Sequence, residues 1–207
     1  GKNERKGNFL TTKIFLHSTV VSNLFMKKTY KFLVFDRDGT LIKHKPYLYK
    51  ENEVELLPFV KECLKILKDS GFRFFLHTNQ SGVARGYFEL KDAVKCNNKM
   101  LELIDLGDNL FEKICIASDF PPSINSYRKP SPKFGREIID QFSFEKNALC
   151  YIGDSISDLE TAVNLDCTPL GLNTGEFDLK LKIKNTKLSD SKVFRNFKEL
   201  TNYLILK

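Results

Sequence analysis

Several residue types are scarce or absent in this chain of 207 residues, and the gaps exclude whole classes of protein. There is no tryptophan, and the three histidines, His17, His44 and His77, are too scattered to form a metal site. No apolar run approaches the roughly 20 residues that a membrane-spanning helix needs. We therefore expect neither a histidine-based metal centre nor a membrane partner.

The five cysteines lie far apart, and no two of them form a Cys-x-x-Cys pair. An odd number of cysteines at wide spacing argues against both a disulfide framework and a zinc knuckle. This usage favours a reducing compartment, so we predict a cytoplasmic protein.

The remaining composition is ordinary for a globular domain, with 42% hydrophobic and 29% charged residues. A net charge of +7 predicts a surface that attracts anions, including nucleic acid and phosphorylated metabolites. The lysines are spread along the chain and form no dense stripe with interleaved aromatic residues. Nucleic acid is therefore not the expected partner.

The first 26 residues differ from the rest, being basic and then mildly apolar without a small-residue cleavage site. They do not match a secretory signal. We interpret 1–26 as an N-terminal extension: a non-native or disordered appended segment, sequence upstream of a start at Met26, or a transit-like leader. Residues 27–207 suit one α/β domain, which we expect to be a monomer.

From Lys27 onward, short apolar runs alternate with amphipathic helical patterns. The predicted strands are Tyr30–Phe35, Phe72–His77, Lys113–Ala117, Ala148–Ile152 and Pro169–Leu172. The predicted helices are Pro58–Ser70, Glu89–Leu106, Pro132–Phe142, Ile156–Leu165 and Phe197–Leu206. Such alternation predicts an α/β fold, a Rossmann-like parallel sheet with helices on both faces.

A polar cluster follows four of the predicted strands. The clusters are DRDGT (36–40), TNQSG (78–82), RKP (128–130) and GDSISD (153–158). Each alone is explained by a turn, a helix cap or a solvated lysine. Together they fall at the carboxyl ends of parallel strands, where such sheets bind ligands.

The residue types in these clusters suit phosphate ester hydrolysis. Asp36 is the candidate nucleophile, because a carboxylate can accept a phosphoryl group and split one difficult step into two. The attack brings two anions together, so a hard cation such as Mg²⁺ is needed. Asp36, the backbone carbonyl of Asp38 and Asp154 are the candidate magnesium ligands. Asp38 is also the candidate general acid and base.

The other cluster residues are candidates for phosphate binding or support. Lys129, Thr78 and Asn79 can hold phosphoryl oxygens. Asp158 supports the metal's water shell, or it is an acid in the first turn of a helix, which the helix dipole favours. Both interpretations of Asp158 stay open at this stage.

The four clusters resemble the four motifs of the haloacid dehalogenase superfamily of phosphatases. FDRDGTL (35–41) is similar to its first motif, Thr78 to the second, Lys129 to the third and GDSISD (153–158) to the fourth. The resemblance implies a magnesium-dependent phosphatase with Asp36 as nucleophile.

A narrower resemblance is carried by TNQSGVARGYF (78–88) and by Arg128-Lys129-Pro130. Both are similar to segments of D-glycero-D-manno-heptose 1,7-bisphosphate phosphatases, which group with the phosphatase half of histidine-biosynthesis enzymes. The resemblance implies that no large cap domain is present, that Arg85 and Arg128 bind substrate, and that the substrate is a small sugar bisphosphate.

The chain departs from that family at two places. Relatives often carry a structural zinc site, whose positions here hold Ala117, Asp119, Asn125 and Tyr127. This set cannot make an ordinary zinc site, so we predict no structural zinc. Ser155 stands where relatives usually have lysine or arginine.

The expected function is therefore magnesium-dependent hydrolysis of a small sugar phosphate through an aspartyl-phosphate intermediate. The foremost candidate is the 7-phosphatase reaction on D-glycero-D-manno-heptose 1,7-bisphosphate. The alternatives are a histidinol-phosphate phosphatase, a polynucleotide 3′-phosphatase and a non-catalytic binding module on the same fold.

Overall fold

A computed structural model describes residues 30–123 and 125–207, and within them six strands form one parallel sheet. The strands are β1 (Phe32–Phe35), β2 (Arg73–Asn79), β3 (Phe111–Ala117), β4 (Leu149–Gly153), β5 (Thr168–Leu172) and β6 (Lys192–Phe194). Their order across the sheet is β3-β2-β1-β4-β5-β6. The predicted parallel α/β sheet is confirmed, and the predicted extension 1–26 lies outside the described residues.

Helices connect the strands and cover the sheet. They are α1 (Val60–Asp69), α2 (Leu90–Ile104), α3 (Lys133–Phe142), α4 (Ile156–Leu165), α5 (Leu179–Ile183) and α6 (Phe197–Ile205). Short 3-10 turns occur at Glu51–Glu53 and Lys146–Ala148. The five predicted helices match within a few residues, whereas α5 and β6 were not predicted.

Both faces of the sheet are buried. Successive side chains of one strand point to opposite faces, so two neighbouring residues of β1 show the packing on each face. Phe35 faces α6 and lies 5.6 Å, between ring centroids, from both Phe74 and Phe197. Its neighbour Val34 belongs to a second cluster with Phe134 of α3 and Ala162 of α4. A near-continuous apolar run is what a strand covered on both faces requires.

The strand order brings the sequence clusters together. β1 lies between β2 and β4, so the loops after these three strands emerge side by side. The backbone N–H of Asp36 donates to the carbonyl of Ile152 at 2.9 Å, which ties the end of β1 to β4.

Residues 36–59, between β1 and α1, hold loops, isolated bridges and one 3-10 turn, which agrees with the predicted lack of a large cap. Among the described residues, no helix combines the length and apolar character needed to cross a membrane.

Candidate active site

Three carboxylates converge at the carboxyl edge of the sheet. Asp36 follows β1, Asp154 follows β4, and Asp158 lies in the first turn of α4. One oxygen from each lies within 4.8 Å of the others, a spacing that suits a shared cation. The sequence predicted Asp36, the backbone carbonyl of Asp38 and Asp154 as ligands. Asp158 joins the two aspartate side chains in this group, and the Asp38 carbonyl stays a prediction.

Two glycines leave room for the carboxylate of Asp154. A Cβ atom on Gly39 would lie 2.3 Å from Asp154 Oδ2, and one on Gly175 would lie 1.8 Å from the same atom. Gly39 also has a φ of +82°, a conformation that glycine adopts most readily. Asp154 therefore occupies a slot between the loops after β1 and β5.

Lys129 is the buried cation of the cluster. Its Nζ donates to Asp36 Oδ1 at 2.7 Å and to Asp158 Oδ1 at 2.5 Å. Burial disfavours the ammonium, but the carboxylates of Asp158 and Asp36 outweigh it and raise the pKa of Lys129 above its usual value. Lys129 is thus held charged against both aspartates.

Asn79 holds the main chain at Lys129. Its side-chain Nδ2 donates to the Lys129 carbonyl at 3.2 Å, and its Oδ1 accepts from the Lys129 N–H at 2.9 Å. Both polar ends of the Asn79 side chain are therefore engaged with the backbone that carries Lys129. This arrangement indicates a positioning role, where the sequence had indicated phosphate binding.

The cluster carries more negative than positive charge, since three carboxylates face one ammonium. Burial is the largest cause that raises the pKa of Asp36, and Asp158 and Asp38 add to it against the opposing effect of Lys129. Burial likewise raises the pKa of Asp154, with repulsion from Asp36 and Asp158. An all-oxygen donor set with unbalanced negative charge fits a hard divalent cation.

Asp38 has its own hydrogen-bond partners, Arg37 and Gln80. Arg37 donates to it from Nε at 3.0 Å and from Nη2 at 3.2 Å, and Gln80 Nε2 donates to its Oδ2 at 2.9 Å. Asp38 also lines a cavity of about 380 Å³ with His44, Tyr47 and other residues of the neighbouring loops. A substrate in that cavity would meet the Asp38 carboxyl.

Thr78 ends a short hydrogen-bond chain that leads to Asp38. It is buried at the end of β2, and its Oγ1 accepts from Gln80 Nε2 at 2.8 Å. Neither Gln80 nor Arg37 was predicted as a site residue, although both lie inside the predicted clusters. Their polar side chains beside Thr78 and Asp38 were the available signal.

Arg85 and Arg128 flank the ring of Phe120 at the rim of the site. The guanidinium carbon of Arg85 lies 3.7 Å from the ring centroid, and that of Arg128 lies 5.4 Å from it. Burial lowers the pKa of Arg128, against the attraction of Asp119. Among the described residues, Arg128 Nη1 is buried without a hydrogen-bond partner.

His77 is a core residue. Its Nδ1 lies 2.7 Å from the Tyr151 hydroxyl and its Nε2 lies 2.8 Å from the Tyr127 carbonyl. Since that carbonyl can only accept, Nε2 carries the proton and Nδ1 accepts from Tyr151. Burial lowers the pKa of His77 to about 3, so the ring is neutral and takes no charge in the site.

Comparison with known proteins identifies the family. Residues 31–196 match the family model described as polynucleotide kinase 3 phosphatase. The chain belongs to this phosphatase family.

The chain is similar to a heptose bisphosphate phosphatase and to a histidine biosynthesis protein. It is 30% identical over 145 residues to the D-glycero-beta-D-manno-heptose-1,7-bisphosphate 7-phosphatase of Pseudomonas aeruginosa, covering 70% of this chain and 82% of the relative. It is 32% identical over 162 residues to the histidine biosynthesis bifunctional protein HisB of Campylobacter jejuni, covering 77% of this chain and 45% of that protein.

The fold is shared with a solved structure, the D,D-heptose 1,7-bisphosphate phosphatase from B. bronchiseptica complexed with magnesium and phosphate. The TM-score is 0.77 at 24% sequence identity, over 85% of this chain and 98% of the other. These findings confirm the predicted membership of the haloacid dehalogenase superfamily and the assignment as a phosphoric monoester hydrolase.

Proposed function

We propose that this phosphatase removes the 7-phosphate of D-glycero-D-manno-heptose 1,7-bisphosphate with Mg²⁺ as cofactor, in the cytoplasm that the cysteine usage favours. The observation that carries the proposal is that a group of three carboxylates adjoins a cavity faced by a fourth carboxylate. Asp36, Asp154 and Asp158 form an all-oxygen group beside Lys129. Asp38 faces the adjoining cavity, held by Arg37 and Gln80.

Asp36, Asp154 and Asp158 would hold the magnesium ion. When bound, the ion supplies positive charge that offsets the repulsion between the Asp36 carboxylate and the substrate phosphate. The donor chemistry supports this choice, because Mg²⁺ takes hard oxygen ligands and carboxylates supply them. Burial first, and then repulsion between the carboxylates, raises the pKa of Asp36 and Asp154, and a bound cation would relieve that repulsion.

Asp36 acts as the nucleophile. One carboxylate oxygen attacks phosphorus, the bond from phosphorus to the sugar oxygen breaks, and an aspartyl phosphate forms. The hydrogen bond from Lys129 to Asp36 Oδ1 orients the carboxylate and leaves Oδ2 for the attack. Lys129 and Thr78 hold the other phosphoryl oxygens, while Asn79 keeps Lys129 in place.

Asp38 moves the protons. It donates one to the sugar oxygen as that oxygen leaves, and it then accepts one from the water that attacks the aspartyl phosphate. Free phosphate and a regenerated Asp36 result. Arg85 and Arg128 bind the second phosphate of the substrate, an assignment supported by the unpartnered Nη1 of Arg128.

Phosphate release from a substrate panel tests the proposal. The panel contains heptose 1,7-bisphosphate, fructose 1,6-bisphosphate, histidinol phosphate, nucleotides and a 3′-phosphorylated oligonucleotide, each with Mg²⁺ and with EDTA. We expect Mg²⁺-dependent turnover that is fastest on the heptose bisphosphate and is abolished in Asp36→Asn. Fastest turnover of histidinol phosphate would keep the mechanism and change the substrate.

A polynucleotide 3′-phosphatase is the second candidate, favoured by the description of the matching family and by the rim of the site. Exposed Tyr47 and Tyr87 meet edge to face with ring centroids 4.7 Å apart, beside the Arg85–Phe120 contact. Exposed aromatic rings and arginines can stack nucleobases. Fastest turnover of the oligonucleotide, with a steep loss of affinity in salt, would establish this candidate.

A further inference from the structure

A buried arginine, Arg37, lies between the two aspartates of the DRDGT segment and contacts the second of them. The Arg37 side chain is fully buried, which is rare for a guanidinium unless it is paired. Its Nε donates to Asp38 Oδ2 at 3.0 Å and its Nη2 to Asp38 Oδ1 at 3.2 Å. The planar fork of the guanidinium thus contacts both oxygens of the carboxylate.

The other end of the guanidinium is fixed by helix α2. Arg37 Nη1 donates to Asn97 Oδ1 at 3.0 Å and to the carbonyl of Ala93 at 3.4 Å. Asn97 is itself buried. The plane of the Arg37 side chain is therefore set by a rigid element that otherwise takes no part in the site.

We propose that Arg37, held by Asn97, is a positioning residue that sets the direction in which Asp38 presents its proton to the leaving oxygen. The inference rests on the proposed role of Asp38 as general acid. Proton transfer depends steeply on geometry, since misplacement by about 1 Å can cost on the order of a hundredfold in rate. Two anchored donors, Arg37 and Gln80, give Asp38 that fixed geometry.

The nature of the leaving group separates this role from a merely structural one. A sugar alkoxide is a poor leaving group and needs a proton as its bond to phosphorus breaks, whereas p-nitrophenolate leaves without one. The ratio kcat/KM covers only the steps up to departure of the alcohol, so the later hydrolysis of the aspartyl phosphate does not affect it. A misdirected Asp38 should therefore harm only the sugar phosphate.

The experiment compares kcat/KM for p-nitrophenyl phosphate with kcat/KM for the sugar phosphate turned over fastest in the panel. The variants are Asn97→Ala, which removes the anchor, and Arg37→Lys, whose single ammonium cannot span Asp38 and Asn97. Asp38→Asn is the reference and Asn98→Ala, on the exposed face of the same helix, is the matched control.

We expect Asn97→Ala and Arg37→Lys to lower kcat/KM on the sugar phosphate by about tenfold or more, in the same direction as the larger loss in Asp38→Asn. Activity on p-nitrophenyl phosphate should fall much less and serves as the check that each variant is folded. Asn98→Ala should match the parent on both substrates.

Equal losses on both substrates in the two variants would overturn the inference, because they would mean that Arg37 supports only the fold. The Asp38→Asn variant tests the underlying acid role of Asp38 separately. If Asp38→Asn showed no selective loss on the sugar phosphate, the acid role of Asp38 would fail and the inference would fail with it.

Discussion

Lys129 is a buried cation that contacts the carboxylates of Asp36 and Asp158. In Lys129→Met those carboxylates lose their counter-charge while staying buried. Breaking a buried ion pair in this way costs about 3–5 kcal/mol. We therefore expect the free energy of unfolding of the metal-free variant to fall by that amount, so that it unfolds at a lower denaturant concentration. Added Mg²⁺ should recover part of the lost free energy.

Chemical denaturation of parent and variant, in EDTA and in Mg²⁺, measures this effect. Lys61→Met is the matched control, because Lys61 and Asp105 form an exposed ion pair on the surface. Exposed pairs contribute about 1 kcal/mol or less. A Lys129→Met variant as stable as Lys61→Met would contradict the charge balance described for the cluster.

The raised carboxyl pKa values also make stability depend on pH. The pKa of Asp36 is raised from 3.8 to about 7 and that of Asp154 from 3.8 to about 9. Between the ordinary and the raised values the folded protein binds more protons than the unfolded chain, so stability falls as pH rises. Buried His77, whose pKa is lowered from 6.5 to about 3, opposes this trend below about pH 6.5. The metal-free protein should therefore lose stability most clearly from about pH 6.5 to about pH 9, and protection by Mg²⁺ should grow over the same window.

Thermal unfolding in EDTA at a series of pH values tests this dependence. Asp154→Asn removes one of the two groups and should flatten the curve in its upper half. A metal-free protein that gained stability toward alkaline pH would show that these carboxyls are not protonated in the fold.

Asp158 illustrates what the sequence leaves open at the level of one residue. Its position, four residues after Asp154, fits either a metal-site residue or an acid of the first helical turn. In the structure Oδ2 accepts from the Ser155 N–H and hydroxyl, as an acid of the first helical turn does, while Oδ1 accepts from Lys129. Support of a metal ion by Asp158 stays a prediction. The pairing with Lys129 is a long-range contact, and no local pattern encodes it.

Among the elements, the loop after β5 controls the space around Asp154. Gly175 in that loop has an ordinary backbone conformation, yet a Cβ atom there would lie 1.8 Å from Asp154 Oδ2. Gly175→Ala should therefore displace Asp154 and weaken Mg²⁺ binding by about tenfold or more, since ligand geometry sets the affinity for this ion.

Isothermal titration with Mg²⁺ measures the change, and Gly71→Ala is the control. Gly71 has open space around it but a φ of +86°, so alanine there is strained without touching the site. We expect Gly71→Ala to lose stability and to keep its Mg²⁺ affinity. Equal Mg²⁺ affinity in both variants would contradict the role given to Asp154.

The loop after β3 carries the rim arginine Arg128. The Arg128→Met substitution removes the buried Nη1, which has no hydrogen-bond partner among the described residues. We expect KM for a sugar bisphosphate to rise by about tenfold while KM for the matching monophosphate changes little, since a charged hydrogen bond contributes about 1.5–3 kcal/mol. Steady-state kinetics on the two substrates measures this, with exposed Arg136→Met as the control. A rise in both KM values of Arg128→Met would contradict the role given to Arg128.

Element prediction succeeded where an apolar pattern was long enough to identify. The strands β1 to β5 are apolar runs covered on both faces, and the five predicted helices have clear periodicity. β6 has only three residues, too few for a pattern. α5 reads LKLKI, an alternation typical of a strand, yet it is helical because Asp178 caps it and the i, i+4 pair Leu179 and Ile183 is buried.

At the scale of the whole molecule, the strand order decides the site. The sequence clusters lie on separate loops, and placing β1 between β2 and β4 brings Asp36, Thr78 and Asp154 to one edge. The rule that ligands bind at the carboxyl ends of parallel strands was enough to predict that edge. It could not predict which side chains pair with one another, because Arg37–Asn97 and Lys129–Asp158 depend on tertiary packing.

Direct detection of the phosphorylated enzyme tests the central claim that Asp36 is the nucleophile. The Asp38→Asn variant is mixed with p-nitrophenyl phosphate and Mg²⁺, quenched in acid, digested and examined by mass spectrometry. Without the base that activates water, the aspartyl phosphate should accumulate, so we predict one phosphoryl group on the peptide that contains Asp36. A burst of p-nitrophenol with no label on that peptide, or with the label on another residue, would contradict the account.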